Sequence, residues 1–262
     1  MTVSAKKRIW GWMAFDWATQ PFYTLGLTFI FGPYFASVAT ELFASQGMTK
    51  EAADAQAQSV WSLGQTMAGL FIAFVGPVLG AYADSTGRRM PWIVGFSVVY
   101  VVTTASLWLM VPDGSALWFG LIVFSIGFVA AEFALIFTNA QLPGLGSQEN
   151  VGRISGAGAA LGYWGGVSGL AIMLLFFFEA DADSGTTLLG AAPALGLDPE
   201  QREGTRIVGP FIAVWYIIFM IPYFLWVREV RPVVKTGGFG KAMSDFWLSL
   251  KSIAGRDSLK GF

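Results

Sequence analysis

Residues 60–111 read VWSLGQTMAGLFIAFVGPVLGAYADSTGRRMPWIVGFSVVYVVTTASLWLMV, two long apolar runs separated by a short polar turn. Each run has about the 20 mostly apolar residues that an α-helix needs to cross the hydrocarbon core of a bilayer. The turn holds aspartate, serine and glycine, which favour loops, and it ends on Arg88 and Arg89. This part of the chain therefore predicts two membrane-spanning helices joined by a tight, basic turn.

The composition of the whole 262-residue chain is also that of an integral membrane protein. Hydrophobic residues make up 55% of it and charged residues 13%, about half the charged fraction of soluble domains. A soluble chain of this length needs more charged side chains to cover its surface. The same numbers exclude disordered, coiled-coil, collagen-like and basic nucleic-acid-binding chains, so no nucleic-acid partner is expected.

Six apolar segments are long enough to cross a lipid bilayer. We therefore expect most of the chain to be embedded in the bilayer. The predicted spans are residues 9–43, 60–83, 92–111, 116–137, 156–178 and 207–227. They are apolar at odd and even positions alike, whereas the strands of a membrane barrel alternate. The predicted fold class is therefore all-α. A bundle of six transmembrane helices, with the loops between them, occupies residues 9–227.

The distribution of lysine and arginine predicts the orientation, because these residues concentrate on the cytoplasmic side. With the N-terminus (residues 1–8) inside, only Lys50, Arg202 and Arg206 among the 16 basic residues fall outside. Both ends of the chain are then cytoplasmic. The expected location is a bacterial inner membrane, with a vacuolar membrane as the alternative.

Residues 228–262 form a tail of different character. Its apolar residues recur at helical spacing: Met243, Phe246, Trp247, Leu250 and Ile253. The spacing fits either an amphipathic helix on an anionic membrane surface or a linker helix packed on the protein. The tail also stops without a terminating signal, which predicts a linker toward a second, C-terminal six-helix half of the same polypeptide.

Ionisable side chains inside a span are costly and need an explanation. Glu132 lies within the fourth span, and Ser125, Glu132 and Asn139 are seven residues apart, which places them on one helix face. These residues either bind a substrate or a proton, or pair structurally with a neighbouring helix. Glu132 and Asn139 are thus candidates for a substrate or proton pathway, with a small solute and a proton or another coupling ion as partners.

The first span carries a second polar stripe on one helix face. Its members are Asp16, Gln20, Tyr23, Thr24 and Thr28, of which the first four are candidate pathway residues. Pro21 and the Gly32–Pro33 pair can kink this helix and free backbone carbonyls, as transporter helices do around binding sites. The alternative for Asp16 is a solvated acid near Lys7 and Arg8.

The fifth span contains rows of small residues four positions apart, which let helix backbones approach closely in a membrane. The glycines predicted to pack are Gly156, Gly158, Gly162 and Gly166. The chain has no cysteine and no histidine, so no metal site, cofactor or catalytic residue is predicted. A lipid-modifying membrane enzyme would need clustered acids, whereas Asp84 and Glu149 stand apart on the inner loops. We therefore expect no enzymatic activity.

Four strings of residues resemble a known family. The turn at residues 80–89, GAYADSTGRR, is similar to the signature loop of the major facilitator superfamily. Three further strings resemble the vacuole-effluxer branch of that superfamily, the autophagy-related amino-acid exporters and their bacterial relatives. They are residues 14–24 (AFDWATQPFYT), 137–143 (FTNAQLP) and 153–163 (RISGAGAALGY).

The resemblance implies a secondary transporter of a small solute, expected to be amino acids, that works by alternating access. This chain would be the N-terminal half of such a fold, a 3+3 inverted repeat. The signature-loop positions implicated in gating are Gly80, Asp84, Gly87, Arg88 and Arg89. The chain departs from the superfamily pattern in having six helices rather than twelve and Glu132 where several members carry an arginine. The alternative is a stand-alone six-helix channel or half-size transporter that dimerises.

Overall fold

A computed structural model of the chain describes residues 3–86, 88–180 and 184–228, together with Ser244 and Leu248; of residues 83–86 it gives the backbone alone. Six helices within these residues are long and apolar enough to span a membrane. The predicted class, an all-α membrane bundle, is therefore confirmed. The predicted amphipathic helix of the tail lies, apart from those two residues, outside the described residues.

The helix bounds differ from the predicted spans by one to five residues, except that the second helix begins ten residues earlier than predicted. The helices are α1 (Ala5–Ser45), α2 (Lys50–Thr86), α3 (Met90–Leu109), α4 (Leu117–Asn139), α5 (Val151–Phe176) and α6 (Val208–Trp226). Helix α2 begins at Lys50 rather than at residue 60, because the Ala, Gln and Glu residues of its first turns favour a helix. Ala53, Ala57 and Val60 give these turns one buried face, whereas the polar residues of the same turns are exposed.

Helix α1 is interrupted in the middle. Its α-helical part ends at Pro21, Phe22–Phe29 is π-helical, and a bend at Ile30 precedes a second α-helical part, Phe31–Ser45. Short π segments often occur at functional sites. After the bend, a Cβ on Gly32 would come within 2.5 Å of the Leu27 carbonyl oxygen. The glycine of the Gly32–Pro33 pair therefore allows the two halves of α1 to approach each other.

Helices α1 and α4 occupy the centre of the bundle. The first part of α1 packs against α5 and α6, its second part packs against α2, and α4 packs against α2 and α3. The Phe124 ring of α4 stacks on Phe22 and Phe31 of α1, with centroids 5.0 and 5.3 Å apart, and contacts Trp61 of α2 at 4.8 Å. This aromatic core holds the interrupted part of α1 against α4.

The loop between α5 and α6 is fastened to the bundle by arginines. Arg206 is buried, and its Nε and Nη2 atoms donate to the Trp108 carbonyl oxygen at 3.1 and 2.6 Å. Arg202 Nη1 donates to Ser37 Oγ at 2.8 Å, and its guanidinium lies over the Tyr34 ring. The loop is thereby attached to α1 and to the end of α3.

Candidate functional site

One hydrogen bond joins the polar stripes of α1 and α4. Tyr23 Oη donates to Glu132 Oε1 at 2.9 Å. Tyr23 belongs to the π-helical segment of α1, and both side chains are half-buried. The Tyr23 hydroxyl thus gives the acid in the apolar helix α4 a polar partner, which offsets part of the cost of removing it from water.

A polar cavity of about 230 Å³ lies beside this bond, between α1, α4 and α5. Its polar lining residues are Asp16, Thr19, Gln20, Tyr23, Asn139, Ser155 and Tyr163. Asp16, Gln20, Tyr23 and Asn139 were candidates on sequence grounds, and they come from two helices more than a hundred residues apart. Binding sites for drug-sized ligands occupy about 300–1,000 Å³, so this cavity suits a small solute.

Asp16 is half-buried and lines the cavity, yet its carboxylate has no hydrogen bond or ion-pair partner among the described residues. The lining contains no lysine or arginine. Neither carboxylate oxygen is fully buried, so a ligand in the cavity that supplies a hydrogen-bond donor can reach this acid. The cavity can therefore hold a positively charged or hydrogen-bond-donating group at Asp16.

The other two pathway candidates lie beside the cavity rather than in its lining. Glu132 is connected to it through Tyr23. Thr24 is one turn of helix beyond Gln20 and faces Gly166 of α5. On this face of α1, Asp16 and Gln20 are therefore open to the cavity, whereas Thr24 packs against α5.

The glycines of α5 lie directly against the polar stripe of α1. A Cβ on Gly162 would lie 3.2 Å from the Asp16 backbone oxygen, and one on Gly166 would lie 2.9 Å from Gln20 Cγ. Gly158 is closer still, because a Cβ there would lie 2.6 Å from Asp16 Oδ2. Gly156 differs, because a Cβ there would contact none of the described residues. Gly158, Gly162 and Gly166 therefore let α5 approach α1, and Gly162 also lines the cavity.

Sequence reasoning missed several residues that hold or line the site. Trp12 Nε1 donates to the Thr138 carbonyl oxygen at 2.8 Å, and Tyr223 Oη donates to Gln141 Oε1 at 2.6 Å. These bonds fasten α1 and α6 to the end of α4. The strings that resemble the vacuole-effluxer branch include Thr138 and Gln141, and also the lining residues Ser155 and Tyr163. The resemblance could therefore have indicated these residues.

The signature-loop residues lie apart from the cavity-lining residues. A Cβ on Gly80 would contact no described residue. The backbone of Asp84 is in the last turn of α2, whereas its side chain and Gly87 lie outside the described residues. Arg88 is exposed, and Arg89 is half-buried at the start of α3. The gating role of all five positions stays a prediction.

Six helices of the described residues are long and apolar enough to span a membrane, and three of them enclose a polar cavity; this arrangement is consistent with one half of a major facilitator fold. The chain belongs to the vacuole effluxer Atg22-like family, whose model matches residues 4–152. It is 27% identical over 225 residues to "Uncharacterized MFS-type transporter YxiO" of Bacillus subtilis (strain 168). That alignment covers 83% of this chain and 46% of the relative, so the chain spans about half the length of the curated relative it matches. No solved structure matches the chain.

Proposed function

We propose that this chain forms one half of a secondary active transporter whose substrate is an amino acid, bound in the cavity between α1, α4 and α5. The observation that carries the proposal is the Asp16 carboxylate, which lines the cavity without a partner among the described residues. An acid placed there is suited to the ammonium group of an amino acid. The Ser155 and Tyr163 hydroxyls are donors suited to its carboxylate.

The proposed mechanism is alternating access, in which this half rocks against the second half around the cavity. Two features of the helices support it. The small-residue contact between α1 and α5 has few interlocking side chains that would oppose sliding, and the π segment of α1 contributes Tyr23 to the cavity lining. The coupling ion is proposed to be a proton, with Glu132 as its carrier, because this acid contacts the cavity through Tyr23. The proposed location is a bacterial inner membrane with both termini cytoplasmic.

The test is an exchange assay on the complete polypeptide in proteoliposomes, loaded with unlabelled neutral amino acids and supplied with labelled ones outside. We expect exchange in the wild type, and at least a tenfold loss in Asp16→Asn, because Asn cannot offer the charge that an ammonium group needs. The matched control is Glu41→Gln, which neutralises an exposed acid of α1 outside the cavity lining. Folded protein that exchanges none of the amino acids would exclude them as substrates.

Transport driven by a pH gradient tests the proposal that Glu132 carries a proton. Glu132→Gln keeps an oxygen that can accept from Tyr23 but removes the titrating group. We expect this variant to retain exchange and to lose transport driven by a pH gradient. A variant whose response to the gradient equals that of the wild type would return Glu132 to a purely structural role.

A further inference from the structure

A second, larger cavity lies on another side of α1, between α1, α5 and α6. It occupies about 650 Å³ and is lined almost wholly by apolar side chains, among them Trp10, Ala14, Leu161 and Phe219. Trp10 is half exposed beside it. This apolar groove begins at the first turn of α1 and follows α1 along the bundle, so an extended apolar chain can lie in it.

Two lysines mark one end of the apolar groove. Lys6 and Lys7 are both exposed lining residues, and Lys7 Nζ lies 6.0 Å from the ring centroid of Trp226, at the end of α6. The described lining contains no acid. Arg8, the next residue, is committed elsewhere, because its Nη2 donates to the Gly144 carbonyl oxygen at 3.2 Å. The charge of the described lining at this end is therefore positive.

The apolar groove ends at two cations and lies at the end of two membrane spans. It is therefore complementary to an anionic lipid of the membrane. We propose that it binds an anionic glycerophospholipid, with the phosphate at Lys6 and Lys7 and an acyl chain along Trp10, Ala14 and Phe219. Basic side chains near a membrane surface attract anionic headgroups, and tryptophan prefers the headgroup region. This lipid site is separate from the polar cavity and stands whether or not amino acids are transported.

The first test is native mass spectrometry of the complete polypeptide in detergent, titrated with phosphatidylglycerol or phosphatidylcholine. We expect phosphatidylglycerol to bind more tightly, and each removed lysine to weaken it by about fivefold. Lys6→Gln/Lys7→Gln should thus abolish the preference, whereas Lys50→Gln, at the far end of the bundle, should keep it. Ala14→Phe should weaken binding with both lysines intact, because its ring fills the groove. Equal binding of the two lipids, or unchanged binding in both groove variants, would overturn the proposal.

The second test identifies the occupant in membranes. A photo-crosslinking phenylalanine derivative at position 10 should yield an adduct with the mass of a phospholipid. A crosslink to residues 229–262 of the same chain would assign the groove to that tail, and one to a second copy would assign it to an oligomer interface. Either result would overturn the lipid proposal.

Discussion

Gly158 lies so close to Asp16 that a Cβ built on the glycine would come within 2.6 Å of the Asp16 Oδ2 atom. The same Cβ would lie 2.8 Å from Cζ3 of Trp12. The α5 glycine and the α1 acid, which are 142 positions apart in the sequence, therefore depend on each other. The acid keeps its place beside the cavity only because α5 has no side chain at this position.

Gly158→Ala should therefore destabilise the protein, because a methyl group must displace either the acid or the indole ring. Overpacking of this kind costs about 1–3 kcal/mol. The measurement is thermal unfolding in detergent, together with the exchange assay. The control is Gly156→Ala, where a Cβ meets open space. This control should be neutral or slightly stabilising, because alanine favours a helix. Equal melting temperatures for the two variants would contradict the packing described here.

Tyr23→Phe removes only the hydroxyl that donates to Glu132. Losing this hydroxyl leaves a half-buried Glu132 oxygen without its donor, which costs about 1–3 kcal/mol, so we expect a lower melting temperature. The control is Tyr100→Phe, because the Tyr100 hydroxyl is fully buried without a partner among the described residues. Its removal should be neutral or stabilising. If Tyr100→Phe destabilised the protein as much as Tyr23→Phe, the bond to Glu132 would not explain the loss.

The sequence predicted the six spans from the length of their apolar segments, and the polar stripes and glycine rows from the spacing of residues within one helix. It did not predict that Asp16 and Gln20 of α1 face Gly158, Gly162 and Gly166 of α5. The rotation of a helix about its own axis is set by the helices packed against it. In a membrane the lipid-facing and protein-facing sides are both apolar, so the hydropathy pattern indicates this rotation only weakly. The π segment of α1 was missed for a related reason: Pro21 signals a disturbance of the helix, but packing decides its form.

Trp12 is a second residue whose contacts the sequence did not predict. A tryptophan near the end of a membrane span, as Trp12 is, usually indicates the interface between lipid and water. The structure instead buries Trp12 and makes its indole a donor to the Thr138 carbonyl oxygen. Backbone acceptors have no residue-type signal, so a contact of this kind has to be seen in three dimensions.

Arg206→Lys tests the attachment of the loop between α5 and α6. Lysine keeps the charge but cannot reproduce the two bonds that the guanidinium makes to the Trp108 carbonyl oxygen. We expect a loss of about 1–3 kcal/mol in unfolding free energy, measured by chemical or thermal denaturation in detergent. Arg153→Lys, the same change at an exposed residue, should have no effect. A stable Arg206→Lys protein would show that the cation alone suffices.

The interruption of α1 can be tested at Gly32. A Cβ at this position would come within 2.5 Å of the Leu27 backbone oxygen, and a backbone atom cannot move aside as a side chain can. Gly32→Ala should therefore force the end of the π segment to rearrange, at a cost of about 1–3 kcal/mol.

The control for this prediction is Gly69→Ala in α2, where a Cβ meets no described residue within 4 Å. It makes the same chemical change in a neighbouring span and should leave the melting temperature unchanged or raise it slightly. Because Tyr23 belongs to the π segment and lines the cavity, we also expect Gly32→Ala to lower exchange. A variant with a lower melting temperature and full exchange would show that the bend stabilises α1 without positioning Tyr23.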